Sequence, residues 1–421
     1  MRLRDVVLSG LVASVIASLA YGDVPARPTF TKDVMPILQE NCQECHREKP
    51  ISTSGMIAPF ALTSYEEVRP WAKAISKAVG TRYMPPWFAT EAFHGVFRNE
   101  RSLTQDQIDT IVNWVEQGAK RGNPKDAPDP VEFSNKEWWL GTPDLEVKLP
   151  EKIWVSDDVE DWQPNVNIKL TEDIYPEDRW IKTIEAQADA SSVHHIVVYS
   201  TNPDQEMRRE AAGGLGYGNI GGLAPGAEPS LLQDGYGINL QKDSVLRVSM
   251  HYHKEPGPGT GEWDQSRLGF FFYDKDEDVI PISIEPIGEL RFEIPPFEKA
   301  HMVTMQHTFD KDFRILNMLP HMHLRGVAAK YTAILPDGTS EVLLDVPRYD
   351  YNWQLYYEYP EPKEFPAGTT IKVDMTFDNS EENESNPDPS RAVRFGGSTT
   401  DEMALGWMYY SWSKDAKKST D

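Results

Sequence analysis

Between Phe30 and about Gly122, apolar residues recur at three- and four-residue intervals. Val34, Ile37 and Leu38 share one helical face, Val68, Trp71, Ala72 and Ile75 a second, and Leu103, Ile108, Ile111, Val112, Trp114 and Val115 a third. Thr104 with Gln107 three positions later is a capping box that opens the last helix, and Gly118 stands where that helix ends. The run Gly122–Pro130 holds turn formers without periodicity and reads as a linker. Beyond about Asp144 the pattern changes to short runs bounded by Pro, Gly and Asp: Val193–Tyr199, Val245–Met250, Leu268–Tyr273, Val342–Val346 and Thr370–Phe377. Such spacing predicts antiparallel β-sandwiches. The β region is long for one sandwich, and Ile294-Pro295-Pro296 is a natural entry to a second. Glu381–Pro389 is an acidic loop between strands. The expected organisation is multidomain: a small all-α domain at 23–122, a linker at 123–143, and two β domains at 144–290 and 291–421.

Composition narrows the function classes. At 39% hydrophobic and 26% charged, the chain has enough apolar material for folded cores. A formal charge of -24 argues against nucleic acid and anionic membrane surfaces as partners. Residues 1–22 have the pattern of an export signal: Arg2 and Arg4, an apolar run from Val6 to Ala20, and a small-residue cleavage site near Gly22. No later run approaches about 20 apolar residues, so stable membrane insertion is not expected.

The 2 cysteines, Cys42 and Cys45, belong to Cys42-Gln43-Glu44-Cys45-His46. This C-x-x-C-H pattern suits one covalent haem c, with two thioethers to the porphyrin and the adjacent imidazole on iron. A thiol redox pair would leave His46 without a role, and half a zinc site would need two further ligands nearby. Met84, followed by Pro85-Pro86-Trp87, is the natural ligand for the opposite iron face, because a thioether favours reduced iron. His94 is the other candidate and Met56 a weaker methionine. The segment from Thr31 to Gly122 resembles class I-like bacterial cytochrome c domains, and that resemblance implies an electron carrier with His and Met axial ligands.

Eight of the 10 histidines lie in the β region, six of them in the clusters His194-His195, His251-Tyr252-His253 and His321-Met322-His323. Residues two apart in a strand face one way, so His321 and His323 can converge on one ion, as can His251 and His253. Adjacent His194 and His195 diverge in a regular strand, so their joint use demands a bulge, a strand end or opposite ring nitrogens. Imidazoles alone admit zinc, copper, iron or nickel; an added thioether favours copper. His94, His301 and His307 read as ordinary structural or surface histidines; Arg325, just past the second histidine pair, is a candidate to bind an acidic substrate but reads more readily as a solvated strand-end residue.

Five motifs occur in one order: Val193-His194-His195-Ile196, Met250-His251-Tyr252, Ile294–Lys299, His321–Gly326 and Gly396–Met403. The series from roughly Asp144 to Trp412 resembles the copper type II, ascorbate-dependent monooxygenases, the family of peptidylglycine α-hydroxylating and dopamine β-monooxygenases. The resemblance implies two jelly-roll-like β-sandwich domains with one copper each. His194, His195 and His251 would then hold the copper that delivers an electron, and His321, His323 and Met403 the catalytic copper that binds oxygen. Three departures stand out: the β region lacks cysteine, Leu319 occupies the place of the basic residue that receives a peptide carboxylate, and His253 is an additional imidazole near the first copper site, open to either ligation or a supporting role behind the ligands.

The expected protein is thus a periplasmic or otherwise exported haem-copper monooxygenase. It would hydroxylate a C–H bond of a small organic or peptide-like substrate with O2, the helical domain relaying electrons in place of ascorbate or another donor, with a periplasmic redox partner as the possible source. The alternative is a periplasmic electron-transfer or copper-binding protein without turnover.

Overall fold

The computed structural model describes residues 24–48, 58–133, 138–201, 218–223 and 232–413. The export signal and Met56 lie outside the described residues. The chain is mostly β, built from several antiparallel sheets, and its three described α-helices all precede the first strand. Among the described residues, no helix is long and apolar enough to cross a membrane.

The helices are α1 (Met35–Asn41), α2 (Tyr65–Gly80) and α3 (Gln105–Glu116). The Thr104 hydroxyl accepts from the Gln107 N–H at 3.2 Å and the Gln107 side chain accepts from the Thr104 N–H at 2.9 Å, so the capping box closes in both directions. Gly118, at φ +94°, ends the helix as expected. Phe30, Leu38, Val68, Ile111 and Trp114 form the shared core. Trp71 departs from the expected face: it is 46% exposed and stacks on Phe60 at 4.5 Å.

A separate all-α cytochrome unit is not evident, which corrects that part of the expected fold class. The reason lies in the loop between α2 and α3. Its Trp87, Phe88 and Phe97 sink into the core of the C-terminal sheets, where Trp87 and Phe97 pack on Tyr357 at 4.9 and 5.5 Å. The Arg98–Glu358 ion pair at 2.7 Å and the Asn99 amide on the Tyr356 carbonyl at 2.9 Å fasten the same loop. These aromatics belong to the helical stretch in sequence and to the β core in space.

In the β region, Leu145–Lys148, Arg267–Phe272, Arg179–Gln187 and Tyr236–Leu240 make one sheet in that spatial order, joined by one parallel pair to Ile280–Pro281. A second sheet centres on Val193–Thr201 beside Val245–His253. Ile181, Ile196, Val198, Met250 and Phe270 fill the space between them. Further along the chain, Ser283–Glu289, Ala404–Trp412, Phe313–His321 and Tyr357–Phe365 form a sheet, and His301–Thr308, Thr370–Phe377, Gly326–Ile334 and Ser340–Val346 another. Their core includes Phe313, Tyr331, Met375 and Phe377. A small cluster of Leu232, Tyr236, Ile284, Leu316 and Tyr409 joins the two halves, and the halves also meet where Tyr351 packs on His194 and Thr399 donates to Asp161.

Candidate functional site

His194 and His195 lie in Val193–Thr201, which pairs with Val245–His253 with a register shift between Val193 and His195. The irregularity does what the sequence demanded, because an extra residue lets neighbouring side chains turn towards one side. His251 comes from the facing strand, directly opposite His195. Ligand atoms of His194, His195 and His251 all lie within 4.8 Å of one another. The His195 Nδ1 is 3.3 Å from the Nδ1 of both other rings. His251 Nε2 lies 3.2 Å from the Asp161 carboxylate, so its proton belongs there and its Nδ1 lone pair faces the cluster.

Electrostatics disfavour the charged form of His194 and His195. Burial, with the neighbouring histidines adding to it, lowers His194 to about 3 and holds His195 well below the usual histidine range. Burial pushes the Asp161 carboxyl up, yet hydrogen bonds from His251 and Thr399 outweigh it and hold the group well below the usual carboxylate range. Neutral imidazoles with converging lone pairs and an anionic partner behind one ring form a metal-type donor set. His253 stands at the edge, exposed, its ring 6.1 Å from His194.

The second cluster sits at the end of Phe313–His321. The rings of His321 and His323 are 5.3 Å apart and nearly perpendicular. His321 Nδ1 meets the Gln354 carbonyl oxygen at 2.8 Å and His323 Nδ1 meets the Asp401 carbonyl at 3.2 Å. An acceptor at each Nδ1 leaves each Nε2 bare for a ligand. Burial lowers His321 to about 4 and His323 to about 3. The antiparallel ladder ends with His321 opposite Leu405, and His323 and half-buried Met403 both lie just beyond that end, their backbone N–H groups directed at the same Glu402 carboxyl. Glu402 fixes this arrangement. Its buried carboxyl accepts from the N–H groups of His323 (2.8 Å), Arg325 (2.6 Å) and Met403 (3.3 Å), and burial raises it to about 8.

Tyr351 lies between the clusters, stacked on His194 at 5.0 Å and edge-on to His323 at 5.8 Å. Asp161 also ties the halves together, accepting from both the N–H and hydroxyl of Thr399. A cavity of about 710 Å³ opens beside the junction, lined by Trp154, Trp162, Asp158, Asp161, His253 and Thr399 among others. The sequence reading missed Asp161, Tyr351, Gln354 and Glu402. The dense aromatic and amide run Tyr349–Gln354 was a usable signal for two of them. Arg325 is corrected: it is 2% exposed, its guanidinium donating to Asn379 and to the Thr400 carbonyl, because the site loop folds over it.

In the helical segment, Cys42 and Cys45 follow α1 and share no disulfide. Burial pushes the Cys42 thiol up to about 12, opposite to the lowered value a reactive thiol pair uses. His46 Nδ1 lies 3.1 Å from the Phe60 carbonyl, which leaves Nε2 available. These features fit a haem c attachment site. Met84 is half-buried in the turn after α2. His94 pairs with Glu100 at 2.7 Å on the surface, in keeping with an ordinary structural histidine.

No family model matches the chain, and no curated protein does. Solved structures that overlay on it include the major capsid protein P2 of bacteriophage PM2, at 8% identity and TM-score 0.25, covering 63% of this chain and 99% of that one. The VP2 subviral particle of infectious bursal disease virus overlays at 11% identity and TM-score 0.17, covering 70% and 86%. Overlays this loose carry no argument about descent or activity.

The kinship expected with class I-like cytochromes c and copper type II monooxygenases is corrected: no family model and no curated protein matches, and the chain is mostly β with no separate all-α unit evident among the described residues. The short motifs that carried the resemblance each have local structural work here. Glu402 staples the His321–Arg325 turn, and the Pro295 carbonyl accepts from the Asn379 amide at 2.8 Å.

Proposed function

We propose that the chain is an exported haem-copper monooxygenase that hydroxylates a C–H bond of a small organic substrate with O2. Its finer architecture on this reading is a haem-bearing helical segment, docked through its α2–α3 loop on the β core, followed by two antiparallel, jelly-roll-like β-sandwich domains that each contribute one copper site. The observation that carries the reading is the approach of two imidazole clusters, both in contact with Tyr351, from different halves of the β region.

His194, His195 and His251 would hold one copper, and His321, His323 and Met403 the other, whose soft thioether suits Cu(I). Copper supplies one-electron and oxygen chemistry when bound. The chain's own residues do the rest. Asp161, Gln354 and the Asp401 carbonyl hold the ring protons away from the metal-facing nitrogens, and Glu402 holds the backbone of His323 and Met403 together. The cavity walled by Trp154 and Trp162 would shelter the substrate. Cys42, Cys45, His46 and Met84 would hold the haem, through which electrons enter. One hydroxylation takes up two electrons and two protons and releases one water.

Metal and haem analysis of protein matured in a haem-attaching periplasm, followed by an O2-uptake screen of substrates, tests the proposal. Two coppers, one covalent haem and substrate-dependent O2 uptake are expected. Bound copper with no uptake across the screen would favour an electron-transfer or copper-binding protein, and absent copper would overturn both readings.

A further inference from the structure

The two histidine clusters belong to different halves of the β region, yet one buried ring touches both of them. Tyr351 is 6% exposed. One face lies on His194, with centroids 5.0 Å apart and planes 17° from parallel; the His323 ring meets it at 5.8 Å and 79°. Both are favourable aromatic geometries. The two centroid steps of 5.0 and 5.8 Å cap the separation of the His194 and His323 rings at about 11 Å.

The loop carrying Tyr351 is anchored to the second cluster. The Tyr349 hydroxyl donates to the Met322 carbonyl at 2.8 Å and accepts from the Met322 N–H at 3.2 Å. Gln354, which holds the His321 Nδ1, also donates to the Tyr351 carbonyl at 3.4 Å. The ring is therefore a fixed extension of the His321–His323 turn that reaches across to a ligand of the other cluster. Structural packing alone would be served by any apolar side chain; contact with one candidate ligand from each cluster is a specific placement.

We propose that the Tyr351 ring is the electron bridge between the two histidine clusters. This inference rests on the copper reading above. One electron leaves the ion at His194, His195 and His251 and one arrives at the ion at His321 and His323, while the ring keeps its own electrons and its phenolic proton. Tyr351 acts through the ligands it touches, so it is a positioning residue whose π-face shortens the saturated path.

The test uses the full-length, copper-loaded protein. A one-electron pulse reduces part of the copper, and rapid-freeze electron paramagnetic resonance follows redistribution between the spectroscopically distinct sites. Tyr351→Leu should retain two coppers and slow redistribution by an order of magnitude or more. Tyr351→Phe, which keeps the ring, should stay within twofold of the parent. Wild-type speed in a two-copper Tyr351→Leu protein would overturn the bridge, as would a Tyr351→Phe protein as slow as the Leu variant. A parent chain that binds no copper would instead overturn the metal reading and take the bridge with it. Should the Leu variant fail to load, the copper–copper distance in the parent decides by pulsed resonance. The bridge requires no more than about 17 Å, the two ring steps extended at each end by about 3 Å of imidazole radius and metal–nitrogen bond; a longer distance overturns it.

Discussion

Removing the Glu402 carboxyl should loosen the second cluster more than any single change on its surface. Glu402 is wholly buried and accepts from the N–H groups of His323 at 2.8 Å and Arg325 at 2.6 Å, with a longer contact to that of Met403 at 3.3 Å. In Glu402→Ala these donors lose their acceptor in an interior that no other side chain enters to replace it. Each buried group left unsatisfied costs about 1–3 kcal/mol, so the two short bonds alone predict a loss of about 2–6 kcal/mol. Glu402→Gln keeps one acceptor oxygen and turns an amide NH2 towards the other donors, so about half that loss is expected. Loss of charge adds little, because burial raises the group to about 8 and the carboxyl is mostly neutral at pH 7. Urea denaturation followed by circular dichroism measures the stability, and copper titration of the folded variants reads the site. The reasoning predicts the order parent, Gln, Ala in both measurements. A Glu402→Ala protein within about 0.5 kcal/mol of the parent, the range of an ordinary surface substitution, would refute it.

Three further outcomes follow from the same geometry. The metal-free protein should lose stability as pH falls from about 6.5 towards about 4: the unfolded chain takes up protons there while buried His194, His321 and His323 do not, a slope of up to about 1.4 kcal/mol per pH unit for each. Thermal denaturation across that range checks it, and a flat profile would contradict the burial assigned to the rings. Phe97→Ala should cost about 3–5 kcal/mol and expose the loop between α2 and α3 to limited proteolysis, unchanged cleavage counting against its role in docking the helices. Met84→Ala in the haem-bearing protein should lower the haem potential and open the iron to cyanide; an unchanged potential in a redox titration would remove Met84 as the axial ligand.

Much of the β region was legible because its alternation is strong. Thr370–Phe377 alternates inward Ile371, Val373, Met375 and Phe377 with half-exposed residues and forms a strand with those bounds. The α3 boundaries were legible for a different reason, since a capping box and a terminal glycine are local signals that need no tertiary context. Trp87, Phe88 and Phe97 defeated the reading because no short-range pattern tells which of two cores an aromatic loop will enter. In the site, clustered histidines announced themselves, whereas Asp161 and Glu402 are ordinary acidic residues among 66 and gain their roles only when distant strands bring them beneath the imidazoles. Arg325 was misread because charge favours the surface until neighbouring acceptors enclose it.

The shift between Val193 and His195 has a consequence for how the chain tolerates change. A strand counts in twos, and the bulge is an odd step inserted into an even count. Upstream of it Val193 keeps one phase; downstream, Ile196, Val198 and Ser200 keep the phase that hides them. Deleting one residue at the step would restore the even count: Val193 would stay opposite Tyr252, and Ile196 and Val198 would stay inward opposite Met250 and Val248. The strand would keep its pairing and its hidden face and lose only the extra imidazole. The bulge thus adds a ligand beside a hydrophobic face without being needed by it, and a length change at that step can alter the one while sparing the other.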